Sequence, residues 1–341
     1  MELERKLGQL MIMGFPDTNL ENQPYISSHI RDHGLGGVIL YGRNIHNPRQ
    51  LRKLCADLHA LSPHPLIIGV DQEGGAVSRL SSTKDFPSSC GQSDLGMLND
   101  PLSTAAAAQI TAILLKSSGI NLNFTPVVDL ELNANNFLAD AGRLFSHDPE
   151  LVSLHAWEVI QAHQQQGILT CLKHFPGHGS SYEDSHYGCV DITETWQEIE
   201  LLPYQTILSR GYHDLIMMGH MYHRIWDPDH PASLSPHIIE GLLRRDLEFS
   251  GAVITDDLDM EAMTQYSEPE ELAVKALKAG VDVLLFANHD GKEEFFLKIV
   301  DSLVQAVKKG ELSEERVDEA WNRVQALRKR IRQKQGFATD R

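Results

Sequence analysis

The chain is poor in what marks secreted, membrane-spanning or nucleic-acid-binding proteins. Its 341 residues include only four cysteines, Cys55, Cys90, Cys171 and Cys189. They are scattered, with no CxxC pair, and Cys55 and Cys171 sit in apolar patterns. Buried free thiols in a reducing cytoplasm are the reading this supports. No apolar run approaches the roughly 18 residues a membrane helix needs. The opening MELERKLGQLM carries acidic residues and no long apolar core behind a basic region, which argues against a signal peptide. Basic residues are outnumbered 30 to 47, for a formal charge of −17, which speaks against a nucleic-acid surface and against anionic lipid. There is no low-complexity segment, no Pro/Ser-rich linker and no repeat beyond a simple alternation of elements.

What is present is apolar and regularly spaced. With 42 % hydrophobic residues the chain can bury a large core. Eight β-type runs recur: Gln9–Phe15, Gly36–Leu40, Leu66–Val70, Leu122–Val128, Gly167–Leu172, Leu215–Met218, Gly251–Thr255 and Val281–Phe286. Most are continuous rather than alternating, as in parallel strands covered on both faces. Between them lie helix-like segments at Pro48–Leu61, Pro101–Ser117, Pro149–Gln165, Thr193–Ser209, Ser235–Arg245, Glu268–Ala279 and Glu293–Lys308. Three open on proline, which suits a first helical position, and Thr18–Arg31 is long enough for another helix. Eight alternations predict a (β/α)8 barrel, with a doubly wound sheet as the competing α/β arrangement. Ser313–Gln333 reads as an extra C-terminal helix, with Val317, Ala320, Val324 and Leu327 on one face and charges ordered to suit the helix dipole. One barrel domain over residues 1–335 and a frayed tail at 336–341 are expected.

A barrel of this kind collects chemistry at the carboxyl ends of its strands. Those ends carry Asn44, Asp71, Asp129, Lys173 with His174, His220, Asp256 with Asp257, and Asn288. Adjacent residues on a strand point to opposite sides. Asp256 is therefore the candidate nucleophile, and Asp257 a carboxylate facing the wall or initiating a helix. The densest stretch is LKHFPGHGSSYEDSHYG, 172–188. Pro176-Gly177 forbids helix there, so its polar groups are expected on a loop leaving the fifth strand. Asp184 and His186, two apart, share a side of extended backbone, where a carboxylate can orient an imidazole for general acid/base work. His174 and His178 are four apart, but the intervening Pro-Gly removes the helix that would let them share a metal. Arg79 and Arg143 can fork onto hydroxyls or a carboxylate, or pair with acidic neighbours.

These segments resemble the bacterial β-N-acetylglucosaminidases of glycoside hydrolase family 3 linked to peptidoglycan recycling. The likeness runs through MIMGF, GGVILYGRNI, VDQEGGAVSRL, NFTPVVDL, AGRLFSHDP, KHFPGHG with the following DSH, and ITDDLDM. It implies a metal-free, cofactor-free barrel enzyme acting on a small sugar substrate, a GlcNAc-terminated glycan or muropeptide. In that reading Asp256 is the nucleophile and His186, held by Asp184, is the acid/base. Asp71, Arg79, Arg143, Lys173 and His174 bind the terminal sugar. Ala76 departs from a usual basic residue, and Ser180-Ser181 from a common Asp-Thr. A neutral imidazole in place of the second carboxylate of most retaining glycosidases does not repel an anionic acceptor, so phosphorolysis is the alternative to hydrolysis. A metal-dependent barrel hydrolase and a non-catalytic sugar-binding barrel are the competing classes.

Overall fold

The computed structural model describes residues 2–182 and 190–335. Strand β1 is Met11–Met13, β2 Gly37–Leu40, β3 Ile67–Val70, β4 Leu122–Asn123 and β5 Leu169–Phe175. After the short β6 at Val190–Asp191 come β7 at Leu215–Met218, the short β8 at Met221–Tyr222, β9 at Ala252–Thr255 and β10 at Leu284–Phe286. Eight of them form one all-parallel sheet in the order β10-β1-β2-β3-β4-β5-β7-β9. The sheet curls onto itself through a parallel bridge from Ile254 to Val283, just ahead of β10. This is a (β/α)8 barrel, and β6 and β8 pair separately. The barrel strands are buried throughout, which is why their sequences run continuously apolar.

The helices follow the sequence pattern closely. Pro48–Ala60, Pro101–Ser118, Pro149–Gln166 and Pro269–Ala279 each begin at a proline, and Pro24–Arg31 fills the first connection. Two expectations need correction. The predicted helix Thr193–Ser209 forms only a 3-10 turn at Glu198–Leu201 followed by Leu202–Ser209. Pro203 lies inside that span and cannot continue a helix that begins before it. The fifth strand runs three residues past its predicted end, to Phe175. Its backbone finds partners there: Val128 N–H donates to Lys173 O and Gly219 N–H to Phe175 O, both at 2.9 Å. Lys173 and His174, expected at the strand end, therefore lie within the strand itself.

The terminal helix Glu314–Gln335 closes the amino end of the barrel. Its apolar face, Val317, Ala320, Val324, Leu327 and Ile331, is buried. Its arginines reach groups that precede strands: Arg316 and Arg323 meet Asp282, ahead of β10, at 2.6 and 3.0 Å, and Arg244 meets the same carboxylate at 2.6 Å. Arg328 bonds Gly36 O at 3.1 Å, ahead of β2. One end of the barrel is thus stitched shut, and the polar strand exits lie at the other. Among the described residues no helix is long and apolar enough to cross a membrane. Cys55 and Cys171 are buried free thiols, whereas Cys90 is exposed; it lies in the loop region after β3 and not in an element.

Candidate active site

The extension of β5 is what builds the floor of the site. Lys173 is buried, and its ammonium lies 2.9 Å from Asp71 Oδ1 and 2.6 Å from Glu73 Oε1. Glu73 in turn receives Nε and Nη2 of Arg143 at 2.9 and 2.8 Å, a two-pronged pair that fixes the guanidinium plane. Burial would push the Glu73 carboxyl up, but Lys173 and Arg143 outweigh it and hold it at about 2. The same carboxylates, working against burial, hold Lys173 more firmly protonated than usual. Arg79 reaches Asp71 only loosely, at 3.7 Å. Asp71, Arg79, Arg143 and Lys173, four residues singled out in the sequence, are therefore one connected network. Glu73, its hub, was not singled out; its signal was its place in VDQEGG, two residues beyond Asp71.

A second cluster hangs from Asp129. Its buried carboxylate accepts His174 Nδ1 at 2.8 Å, the His174 backbone N–H at 3.1 Å and the His178 backbone N–H at 2.9 Å. Burial opposes ionisation, but His174 and the other donors win, and Asp129 stays ionised below the ordinary carboxylate range. With Nδ1 spoken for, His174 has Nε2 left for the mouth of the barrel. His178 is turned elsewhere: its Nδ1 pairs with Ser181 Oγ at 2.7 Å, and its ring lies 6.1 Å from that of His174, nearly perpendicular to it. Burial lowers His178 to about 4, so it is a neutral part of the loop. No group of three His, Cys, Asp or Glu side chains suited to a metal ion is gathered among the described residues.

Asp256 follows β9 directly, and its Oδ1 accepts the Asp257 N–H at 2.8 Å. Burial raises its pKa, but His174, His220, that N–H and Lys173 together bring it below the usual value. The neighbouring carboxyl does something different. Asp257 Oδ1 accepts the N–H groups of Asp259 and Ala287 at 3.0 and 2.9 Å, tying β9 to the exit of β10. Burial and Asp259 push it up to about 7. His220 braces the same corner, with Nε2 3.0 Å from Asp257 O and Nδ1 2.8 Å from Ser233 Oγ. Asn44 and Asn288 are structural too. Asn44 donates to Phe15 O and Asp17 O, and Asn288 takes Lys292 N–H in a left-handed turn with φ of 42°.

Asp184 and His186 lie outside the described residues. The root of their segment is within them and is buried and firmly held. Trp196 Nε1 donates to Pro176 O at 3.1 Å, Gly179 N–H to Glu200 at 3.2 Å, and Asn136 Nδ2 to His178 O at 2.8 Å. Glu200 is a further residue not singled out in the sequence. Its carboxyl is buried and pushed up to about 7, chiefly by that burial. Of the two departures noted in the sequence, Ser181 caps His178 and accepts from Asn136 at 3.0 Å, so its hydroxyl has a local structural use.

Known proteins match this arrangement. The sequence fits the family described as Glycosyl hydrolase family 3 N terminal domain over residues 2–327. It is 35% identical to a beta-hexosaminidase of Nitrosomonas eutropha over 74% of this chain and 74% of that one. It is 37% identical to a beta-hexosaminidase of Tolumonas auensis over 76% and 78%. Among solved structures, a glycoside hydrolase family 3 beta-N-acetylglucosaminidase from Paenibacillus sp. str. FPU-7 superposes with a TM-score of 0.92 at 33% identity. That match takes in 100% of this chain but only 64% of the longer Paenibacillus chain. M tuberculosis LpqI superposes with a TM-score of 0.85 at 28% identity, over 96% of this chain and 94% of its own. A family match across nearly the whole chain, on a barrel whose exits gather these carboxylates and cations, makes the protein a glycoside hydrolase belonging to glycosyl hydrolase family 3.

Proposed function

We propose that the protein is a retaining exo-β-N-acetylglucosaminidase, which removes terminal N-acetylglucosamine through a covalent glycosyl-enzyme, in the cytoplasm and on muropeptides released in cell-wall recycling. The observation that carries this reading is Asp256. It stands at a strand exit, remains ionised, and has one oxygen held at 2.8 Å by a backbone N–H. Among the described residues no cation forms an ion pair with it, and Oδ2 is left for attack on C1. A nucleophilic carboxylate needs this combination of orientation and retained charge.

In the first half-reaction Asp256 Oδ2 bonds to C1 as the glycosidic bond breaks, and the leaving oxygen takes a proton from His186. In the second, His186 takes a proton from water, whose oxygen bonds to C1 and releases the Asp256 carboxylate. Asp184 orients His186; both roles rest on the DSH motif. Lys173, Asp71, Arg79, Arg143 and His174 hold the sugar. Their interlocking supports this, because partners fixed on one another lose little freedom when a ligand arrives. Glu73 then serves by setting the planes of Arg143 and Lys173.

Phosphate in place of water is the second reading, favoured by the guanidinium groups of Arg43 and Arg79, which lie 4.4 and 5.8 Å from the ring centroid of Tyr41 just beyond β2. The test is turnover of an aryl N-acetylglucosaminide with and without phosphate, with the product and its anomer identified. Free β-sugar at early times supports retaining hydrolysis, and a sugar 1-phosphate reassigns the reaction. Asp256→Asn should abolish turnover. More than about a hundredth of the activity remaining would sink the nucleophile assignment, given the 10²–10⁴-fold or larger effects of such groups.

A further inference from the structure

The outer face of a barrel helix ordinarily carries charge. Pro48–Ala60 does so, with Arg49, Arg52 and Lys53 exposed. The helix Pro101–Ser118 does not. From Pro101 to Leu115 it has no charged residue, and its outward line reads Leu102, Ala106, Ile110 and Ile113, all exposed. Positions three or four apart share one side of a helix, so these form a single stripe. A helix apolar all round is normally covered all round. Here Ala108, Ala112 and Leu115 on the inner side are buried, and the outer side is bare.

The stripe belongs to a larger patch. Met97 and Leu98 end the preceding helix Gln92–Leu98, and only Asn99 and Asp100 separate them from Pro101. On the other flank Thr104 Oγ1 pairs with His155 Nδ1 at 2.7 Å, which sets Leu154 of Pro149–Gln166 beside the Leu102 end. Leu102 is 78 % exposed, Met97 77 %, Leu98 60 %, Ile110 55 %, Ile113 49 % and Leu154 40 %. Six such side chains expose on the order of 600 Å² of apolar surface. That is the top of the range for the largest patch on a monomer, and most of the roughly 800 Å² each partner buries in a standard interface. A cavity beside the stripe, lined in part by Leu80, Cys90, Ala107, Ile110 and Leu114, measures about 100 Å³. Small-molecule sites begin near 300 Å³, so the patch suits a protein surface and not a small ligand.

Charge indicates which protein. Copies of a chain of net charge −17 repel one another over most of their surface, and a face without charge is where they can meet. The two ends of the patch are opposite in sign. Asp94, Asp100 and Glu150 lie around the amino end of the helix, and Lys116 lies in its last turn. Asp100 stands six residues before Ala106, and Lys116 six after Ile110. A two-fold axis midway between Ala106 and Ile110 therefore lays Leu102 of each copy against Ile113 of the other, and Lys116 against the other's acidic end. Ala106 near the axis lets the helices approach closely, and their dipoles run in opposite directions.

We infer that the outer face of Pro101–Ser118, with Met97, Leu98 and Leu154, is a two-fold interface that takes a second copy of this chain, the two helices antiparallel. The face is on the barrel wall, and the inference is independent of the glycosidase reading.

The test is sedimentation equilibrium of the full chain from roughly 1 to 100 µM, a span that brackets a micromolar dissociation constant. Wild type should approach about 76 kDa, twice the 38.1 kDa of one chain. Ile110→Asp puts a charge in the dry centre and should weaken the dimer by about a hundredfold or more. Leu102→Asp should also dissociate it, and an acid in the first turn suits the helix itself. Lys116→Glu should weaken it by about fivefold, because an attraction made twice becomes a repulsion. All three positions are exposed, so urea midpoints measured on dilute protein should stay within the range of ordinary surface changes, and turnover per chain of an aryl N-acetylglucosaminide should stay within about twofold. A wild-type mass that remains near that of one chain at the highest concentration overturns the proposal, even if this face then binds some other protein. So does a dimer that survives both Ile110→Asp and Leu102→Asp, or a mass that climbs past two chains without a plateau. Full dimerisation of Lys116→Glu overturns the antiparallel arrangement.

Discussion

Asp129 receives the His174 ring Nδ1 at 2.8 Å while also accepting the backbone N–H groups of His174 and His178. One buried carboxylate therefore sets the His174 imidazole, which is proposed to face the sugar, and anchors the first turn of the segment leading to His186. Asp129→Ala removes the acceptor for three donors in a dry environment. Breaking a buried pair from one side costs about 3–5 kcal/mol, and that is the expected loss in urea unfolding at neutral pH. Activity should fall with it, because His174 loses its fixed orientation. An unchanged unfolding midpoint would count against Asp129 as the anchor.

Glu73 should contribute to the acid limb of stability. Its folded pKa of about 2 lies below the ordinary value of 4.5 because Lys173 and Arg143 outweigh burial. A depressed carboxyl stabilises the fold above its unfolded pKa, and that contribution is lost as pH falls through the folded one. The loss should lie between roughly pH 4.5 and 2 and amount to about 3 kcal/mol, at about 1.4 kcal/mol per unit. Glu73→Gln should flatten this part of the curve of unfolding free energy against pH. It should also destabilise the protein at pH 7, since Lys173 and Arg143 lose a shared counter-charge.

Much of this architecture was legible in the residues. Continuous apolar runs identified the barrel strands, prolines marked helix starts, and the strand-end positions gathered Asp71, Lys173, His174 and Asp256 before any coordinates. What escaped reading depends on three-dimensional partnership. Lys173 was placed at the strand end, but that the strand runs on through it to Phe175 was not legible, because a charged side chain seldom continues a buried strand; Asp71 and Glu73, about a hundred positions earlier, make that possible. Glu73 and Glu200 were not singled out, since nothing in their local sequence tells that Arg143 or Gly179 will meet them. Asp256 and Asp257 were separable in kind, because alternation along a strand sends them to opposite sides, but the role of Asp257 as a clasp on β10 required knowing which strand lay beside it. The grouping of Arg43, Arg79 and Tyr41 was likewise invisible in sequence.

Asp257 and Glu200 act in the opposite sense to Glu73. Burial, with Asp259 adding for Asp257, pushes both carboxyls up to about 7. A raised carboxyl favours the fold below its unfolded pKa, and that advantage is lost as pH rises through the folded value. Stability should therefore decline from about pH 4 to about pH 7. Asp257→Asn keeps an oxygen for the Ala287 N–H and cannot ionise. It should reduce the difference between urea midpoints measured at those two pH values and retain at least about a tenth of wild-type turnover. A loss as complete as that of Asp256→Asn would give Asp257 a chemical role instead.

The root of the segment carrying His186 can be probed through its glycines. Gly177 has φ of 125°, and a Cβ there would lie 2.8 Å from the Glu200 side chain. Gly310 also has positive φ, 74°, but nothing lies within 4 Å of an added Cβ. Alanine at Gly310 should cost only the backbone strain, about 1 kcal/mol. Alanine at Gly177 adds a collision with a buried side chain that itself holds Gly179, and should cost about 2–3 kcal/mol. Turnover separates the two further. Gly310→Ala should keep wild-type kcat, because that position is remote from the strand exits. Gly177→Ala should lower kcat more for a poor leaving group than for an activated aryl group, since with His186 as the proposed acid the poor one depends on its proton. If both substrates lose equally, the root at Gly177 does not position the acid.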